Sequence, residues 1–237
     1  MDPTPRCDAQ LAAARARVRA LVSAALEQGA PTAWFDELYR EAAGDAARVP
    51  WADLVPNAAL AAWTARPEAL AGVRTAVVVG CGLGHDAEHL ASLGLEVTAF
   101  DVSEHAIRWA RTLHGGTRVR YEVADLFALP SAWRGAFDLV VEVDTWQALP
   151  RAVRAAAVAA TRALLAPGGR LFVFARLRDD GPGAPPMDER RDGPPWPLGH
   201  GELARAVDGL TPVLPFRATP DAADPSIVRG LGVWRRT

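Results

Sequence analysis

The chain has 237 residues, half of them hydrophobic and 23% charged, with a formal net charge of −2 and a pI near 6.2. That length suits one well-buried α/β domain and is too short for two full ones. The balanced charge excludes a general nucleic-acid binder, which would carry a clustered basic face.

In chain order, Asp8 to Gln28 reads as an alanine-rich amphipathic helix capped by Asp8 and stopped by Gly29. A short helix is expected from Trp34 to Ala43, a loop over 44–58 between Pro50 and Pro56, and a helix over 57–71. Residues 1–72 thus form a helical cap, and 73–237 the core of the same domain. The core opens on Val77-Val78-Val79, consecutive β-branched residues suited to a strand buried on both faces of a parallel sheet. Gly80, Gly82 and Gly84 follow, which let the backbone turn sharply and approach a ligand. The helix beginning there offers free N–H groups and the positive end of its dipole. Val97 to Phe100 form the second strand, ending on Asp101, whose carboxylate suits a ribose diol.

Further strands are expected at Tyr121–Ala124, before Asp125-Leu126-Phe127, and at Phe137–Val143, which carries Glu142 and runs into Asp144-Thr145-Trp146. LLAPGGRLFVFAR, 164–176, gives a helix end, a Pro-Gly-Gly turn and a fifth strand ending at Arg176. Residues 177–200, rich in Gly, Pro and Asp, read as a long surface loop of lid type. A helix at 201–208 and closing strands near 213–218 and 227–235 complete a Rossmann-like, doubly wound α/β sheet of seven mostly parallel strands.

Counted from Gly82, the turn satisfies the dinucleotide pattern GxGxxA; counted from Gly80 it gives GxGxG, which suits S-adenosylmethionine (SAM) lying across the loop. The downstream strands favour SAM, and the series resembles the class I SAM-dependent methyltransferases from about Thr75 to the carboxyl terminus. The signature GCGxGxDxxxLAxxGxxVxxxDxSxxAI, with Gly80, Cys81, Asp86, Leu90, Ala91, Gly94, Val97, Asp101, Ser103, Ala106 and Ile107, resembles the thiopurine and halide/thiol methyltransferase branch. The early tryptophans Trp34 and Trp51 match that branch, and Val79 stands where it often has proline. The resemblance implies that Trp51 lies against SAM and that Gly80, Cys81, Gly82, Gly84 and Asp86 form the cofactor loop. It also implies that Asp101 holds the ribose, Val102 and Leu126 flank adenine beside Phe127, Asp125 takes the adenine amine, and Glu142 closes the methionine end.

SAM brings an electrophilic methyl group, so in-line alignment and exclusion of water are the protein's main tasks. A phenol or alcohol would benefit from a base, for which Asp144 and then His200 are the candidates. Asp144 also suits a cap of the following helix, the reading its position favours over a base. Trp34, Phe35, Tyr39, Trp146, Arg176 and Trp196 fall in segments converging on the strand ends and are candidate contacts to a small acceptor. HDAEH, 85–89, fits a zinc-peptidase pattern but opens from a glycine turn between parallel strands, so no metal is expected. Cys81 reads as a small packing residue, not a nucleophile.

Two alternatives stay open: a non-catalytic SAM-binding protein, and an NAD(P)-dependent oxidoreductase, which the absence of any lysine disfavours. Cys7 and Cys81 show no pairing pattern, and no apolar run reads as a signal peptide or membrane span, so a cytoplasmic protein without a membrane partner is expected. The arginine-only, alanine-rich composition reads as bacterial coding bias. The acceptor, the atom methylated and the oligomeric state are not readable from the sequence.

Overall fold

A computed structural model describes residues 8–184, 187–189, 193–221 and 224–237. Its strands are β1 (Thr75–Val79), β2 (Glu96–Asp101), β3 (Arg120–Val123), β4 (Phe137–Val143), β5 (Leu165–Arg178), β6 (Leu198–Gly199), β7 (Leu210–Pro220) and β8 (Val228–Arg236). The main path runs β3-β2-β1-β4-β5-β8-β7, with β6 pairing β5 off that path. β1 to β6 pair in parallel, whereas β8 is antiparallel to β5 and to β7. From β1 the chain winds outward to β2 and β3, then returns past β1 to β4, so strand order reverses between β1 and β4. A crevice opens at the carboxyl ends of strands at such a switch point.

The hydrophobic run of β1 follows from its central place. Ala76 and Val78 enter one buried cluster, and Val77 and Val79 enter the other. The first cluster takes α3 (Ala58–Thr64), α4 (His85–Ser92) and α5 (Glu104–Leu113) through Leu60, Leu90 and Ile107. The second takes α6 (Arg151–Ala163) and α7 (His200–Ala206) through Ala157, Leu203 and Ala206. A third joins the cap helices α1 (Asp8–Glu27) and α2 (Ala33–Ala42) to Leu83 of the glycine loop and Ala106 of α5. Asp36 of α2 clasps the start of α5, its Oδ1 accepting from Ser103 Oγ at 2.8 Å, His105 N at 3.1 Å and His105 Nδ1 at 3.0 Å.

Several boundaries differ from the sequence reading. α3 stops at Thr64 rather than continuing to 71, because Arg66 precedes Pro67 and the residue before proline is pushed out of the helical region. β5 starts at Leu165 and absorbs the Pro-Gly-Gly segment as an irregularity against β4 between Phe137 and Leu139. It also runs on to Arg178, and β6 adds to its end, so part of the expected lid belongs to the sheet. Residues 185–186 and 190–192 of that segment lie outside the described residues.

On α6, Arg154 is 1% exposed. It donates to Glu202 Oε1 and Oε2, each at 2.9 Å, and to the carbonyls of Leu149 and Trp196. Arg154→Ala strands three acceptors at once and should cost about 3–5 kcal/mol, read as a lower urea midpoint of unfolding at unchanged slope.

Candidate active site

The glycine loop joins β1 to α4. Gly80, Gly82 and Gly84 have φ of 59°, 52° and 84°, a left-handed conformation that L side chains rarely adopt. A Cβ on Gly80 would stand 2.8 Å from the Thr145 side chain, and one on Gly82 would stand 2.8 Å from Tyr39 Oη. Thr145 Oγ1 donates to Val79 O at 2.9 Å, which ties the turn after β4 to the end of β1. This close cradle of bare backbone beneath an aromatic cover suits a ligand lying across the loop.

Asp101, 7% exposed, braces the cradle from the end of β2. Its Oδ2 accepts from Gly82 N at 3.0 Å and its Oδ1 from Ser103 N at 2.9 Å. Burial pushes its pKa up, and the two backbone N–H groups pull it back. Val102 beside it is half-buried. Across the sheet edge, Asp125 accepts from Phe127 N at 2.9 Å and caps the single turn Leu126–Ala128, leaving Leu126 buried and Phe127 40% exposed. Cys81 lies within the loop, where burial pushes its thiol pKa well up, the opposite of what a nucleophile needs.

The cover is aromatic. Trp51 Nε1 donates to Tyr39 Oη at 2.9 Å, and the Trp51 ring meets Trp34 and Tyr39 edge-on, with centroids 6.0 and 6.3 Å apart. Burial and the nearby Asp101 push the Tyr39 phenol pKa far above its ordinary value, so it stays protonated. Phe35 is half-buried and stacks on Trp34, with centroids 3.8 Å apart. Asp86, in the first turn of α4, accepts from Asn57 N at 2.7 Å and so pins the cap of α3 to the cofactor loop. Burial raises its pKa to about 6.

At the ends of β4, β5 and β8 lies a charged group that includes residues the sequence reading did not connect. Asp144 holds φ of 57°, uncommon for a non-glycine residue, with its N–H bonded to Phe174 O at 2.9 Å. Its carboxylate accepts from Arg229 Nη1 at 3.1 and 3.2 Å, while Arg229 Nε donates to Asp221 Oδ2 at 2.9 Å. Burial raises the Asp144 pKa, against the opposing pull of Arg229 and Arg176. Arg229 comes from 85 residues downstream, and no local spacing advertises the pair.

Five expected site residues stand elsewhere. Trp34 is 2% exposed inside the cap and packs against Leu38 and Val49, so it supports the cover from behind. Trp146 is fully buried against α6, with Nε1 donating to Thr161 Oγ1 at 3.1 Å. Trp196 is fully buried as well, its N–H bonded to Gln147 O at 2.7 Å and its Nε1 to Glu189 O at 2.8 Å. These large aromatics fill gaps between layers, and no surface remains on them for an acceptor.

His200 is exposed at the start of α7, edge-on to Phe216 at 6.4 Å. Phe216 lies over Gly230 and Leu177, whereas Arg229 and Arg176 alternate to the other face, so His200 and Asp144 are on opposite sides of the sheet. Glu142 is fully buried on the α6 side, in register with Val79, with Oε1 accepting from Trp146 N at 2.7 Å and Oε2 unpartnered among the described residues. It caps the turn after β4 rather than closing the methionine end.

Burial raises the Glu142 pKa to about 8. The folded protein therefore holds a proton there that the unfolded chain releases near pH 4.5. Native stability falls as pH rises between those values, by up to about 1.4 kcal/mol per unit. Glu142→Gln, which mimics the protonated form, should gain on wild type in thermal midpoint from pH 5 to pH 8. An unchanged difference across that range would refute the buried, protonated carboxyl.

Comparison with known proteins bears on the class. Residues 76–169 match the family described as "Methyltransferase domain". That match covers about two-fifths of the chain, from β1 into β5. The chain is 37% identical over 106 residues to the ubiquinone biosynthesis O-methyltransferase of Xanthomonas euvesicatoria, covering 44% of this chain and 43% of that protein. With the enzyme so named of Aromatoleum aromaticum it shares 36% over 113 residues, 46% and 47% of the two chains. The chain thus spans less than half the length of the curated relatives it matches.

Among solved structures, one reported for conversion of a disulfide bond into a thioacetal group during echinomycin biosynthesis has a TM-score of 0.65 at 26% identity, over 86% of this chain and 92% of that one. The N-methyltransferase NodS of Bradyrhizobium japonicum, in complex with S-adenosylhomocysteine, has a TM-score of 0.62 at 22% identity, over 84% and 96%. The Rossmann-like methyltransferase fold follows from these matches. The narrower thiopurine and halide/thiol branch is not supported: these relatives are named as O- and N-methyltransferases. Among the described residues, no helix is long and apolar enough to cross a membrane.

Proposed function

We propose that the chain transfers a methyl group from SAM to a nucleophilic heteroatom of a small molecule held between the cap and the ends of β4 and β5. The observation that carries this reading is the bare glycine cradle, braced by Asp101 at Gly82 N and covered by the Tyr39–Trp51 pair. In this reading Gly80, Gly82 and Gly84 carry the cofactor across the loop, Asp101 and Val102 meet its ribose and base, and Asp125, Leu126 and Phe127 border the adenine edge. Trp51, half exposed above the loop, excludes water with Tyr39 and Phe35.

The cofactor supplies an already electrophilic methyl group, so the chain's own residues orient the partners and exclude solvent. The curated relatives are named for oxygen acceptors, which favours oxygen here. A hydroxyl loses its proton as the new bond forms, and Asp144 is the carboxylate placed to take it. A cytoplasmic, small-molecule role accords with the balanced charge. The test is incubation with SAM and a panel of phenols, thiols and heteroaromatic amines, with release of S-adenosylhomocysteine as the readout. Binding of SAM without turnover of any acceptor would favour a non-catalytic SAM-binding protein. Binding of NAD(P)H alone would point to an oxidoreductase.

A further inference from the structure

Arg176 and Arg229 are direct cross-strand partners on β5 and β8, so their side chains leave the same face of the sheet beside one another. Like charges at such positions repel unless each is compensated. Arg229 is compensated twice, by Asp144 and by Asp221, and its guanidinium lies 5.4 Å over the Phe174 ring. Arg176 is not. Its backbone N–H is fixed by Gln147 Oε1 at 2.5 Å, but its half-buried guanidinium makes no hydrogen bond or ion pair among the described residues. The two carboxylates near it are already held by Arg229. Burial, Arg229 and Arg15 on α1 of the cap lower the Arg176 pKa, against the opposing pull of Asp144 and Asp221.

A guanidinium taken part-way out of water beside another cation is costly to hold without a partner, and its planar fork matches an oxyanion. The position lies beside Asp144, the proposed proton acceptor, and under the cap. From this geometry we infer that the methyl acceptor carries a carboxylate, which Arg176 binds at the end of β5 while the acceptor's nucleophilic atom faces the cofactor loop. Arg229 holds Asp144 in place, and the two arginines together balance Asp144 and Asp221, so what Arg176 offers a ligand is its unbonded guanidinium fork rather than a surplus of charge. The inference rests on the methyltransferase reading and narrows it to aromatic or aliphatic acids bearing the methyl-accepting group.

The test uses the protein saturated with S-adenosylhomocysteine and titrated calorimetrically with benzoate, 4-hydroxybenzoate and 3,4-dihydroxybenzoate, each against its methyl ester. Wild type should bind at least one acid about tenfold or more tightly than its ester, as expected for a charge-assisted hydrogen bond. Arg176→Gln should erase that preference while leaving S-adenosylhomocysteine affinity and the thermal midpoint near wild type, and Arg176→Lys should recover part of it. Esters bound as well as acids, acids not bound up to their solubility limit, or a preference that survives Arg176→Gln would each overturn the inference. Failure of wild type to bind S-adenosylhomocysteine would overturn the methyltransferase reading and this inference with it.

Discussion

Replacement of Asp101 by alanine is expected to weaken SAM binding by at least about a hundredfold, because two charge-assisted hydrogen bonds at about 1.5–3 kcal/mol each depend on that carboxylate. One of them, to Gly82 N at 3.0 Å, fixes the turn at φ of 52°; the other, to Ser103 N at 2.9 Å, starts α5. Without the carboxylate, a buried N–H in the cofactor loop loses its acceptor and the cradle relaxes. Asp101→Asn separates shape from charge: the amide oxygen can keep one backbone bond, so the fold should survive while the ribose contact weakens. Calorimetric titration with SAM reads the effect, and thermal denaturation checks that the variant is folded. Affinity within twofold of wild type in Asp101→Ala would remove Asp101 from the cofactor site.

The core was legible because its signals are local. Val77-Val78-Val79 between a cap and a glycine turn can hardly be anything but a central strand, and in the fold alternate residues of that run feed opposite clusters. The glycines and the acid ending the next strand lie within about two dozen residues, the reach of one βαβ unit. What stayed hidden depends on long-range placement. Trp146, Trp196 and Trp34 share the composition of a pocket wall, and only the layers around them show that they are packing. Arg154 lies on α6 one turn from the exposed Arg151, yet its partners come from a loop and from α7, so no helical spacing marks it. Arg229 and Asp144 meet because β8 inserts antiparallel beside β5, a consequence of strand order rather than sequence neighbourhood. His200 fails for the same reason in reverse: nearness to the expected lid did not say which face of the sheet it takes.

Asp144→Asn should separate the role of a base from that of a brace. Asn tolerates the left-handed backbone at this position about as well as Asp, so the turn is expected to persist, and Arg229 keeps its bond to Asp221. With a phenolic acceptor, kcat should fall by about 10²- to 10⁴-fold, the usual contribution of a positioned general base, while SAM affinity changes little. A thiol or heteroaromatic nitrogen needs no such base, and its rate should drop far less. Asp221→Asn serves as the control, since it also weakens the hold on Arg229 without touching the carboxylate beside the acceptor. Equal losses for phenol and thiol acceptors, or equal losses in the two variants, would make Asp144 an electrostatic brace for the strand ends. A loss confined to the phenol would place the proton on Asp144 as the carbon–oxygen bond forms. The wild-type rate with phenols should then fall on acidification as that carboxylate protonates, with a midpoint above that of an ordinary aspartate because burial raises its pKa.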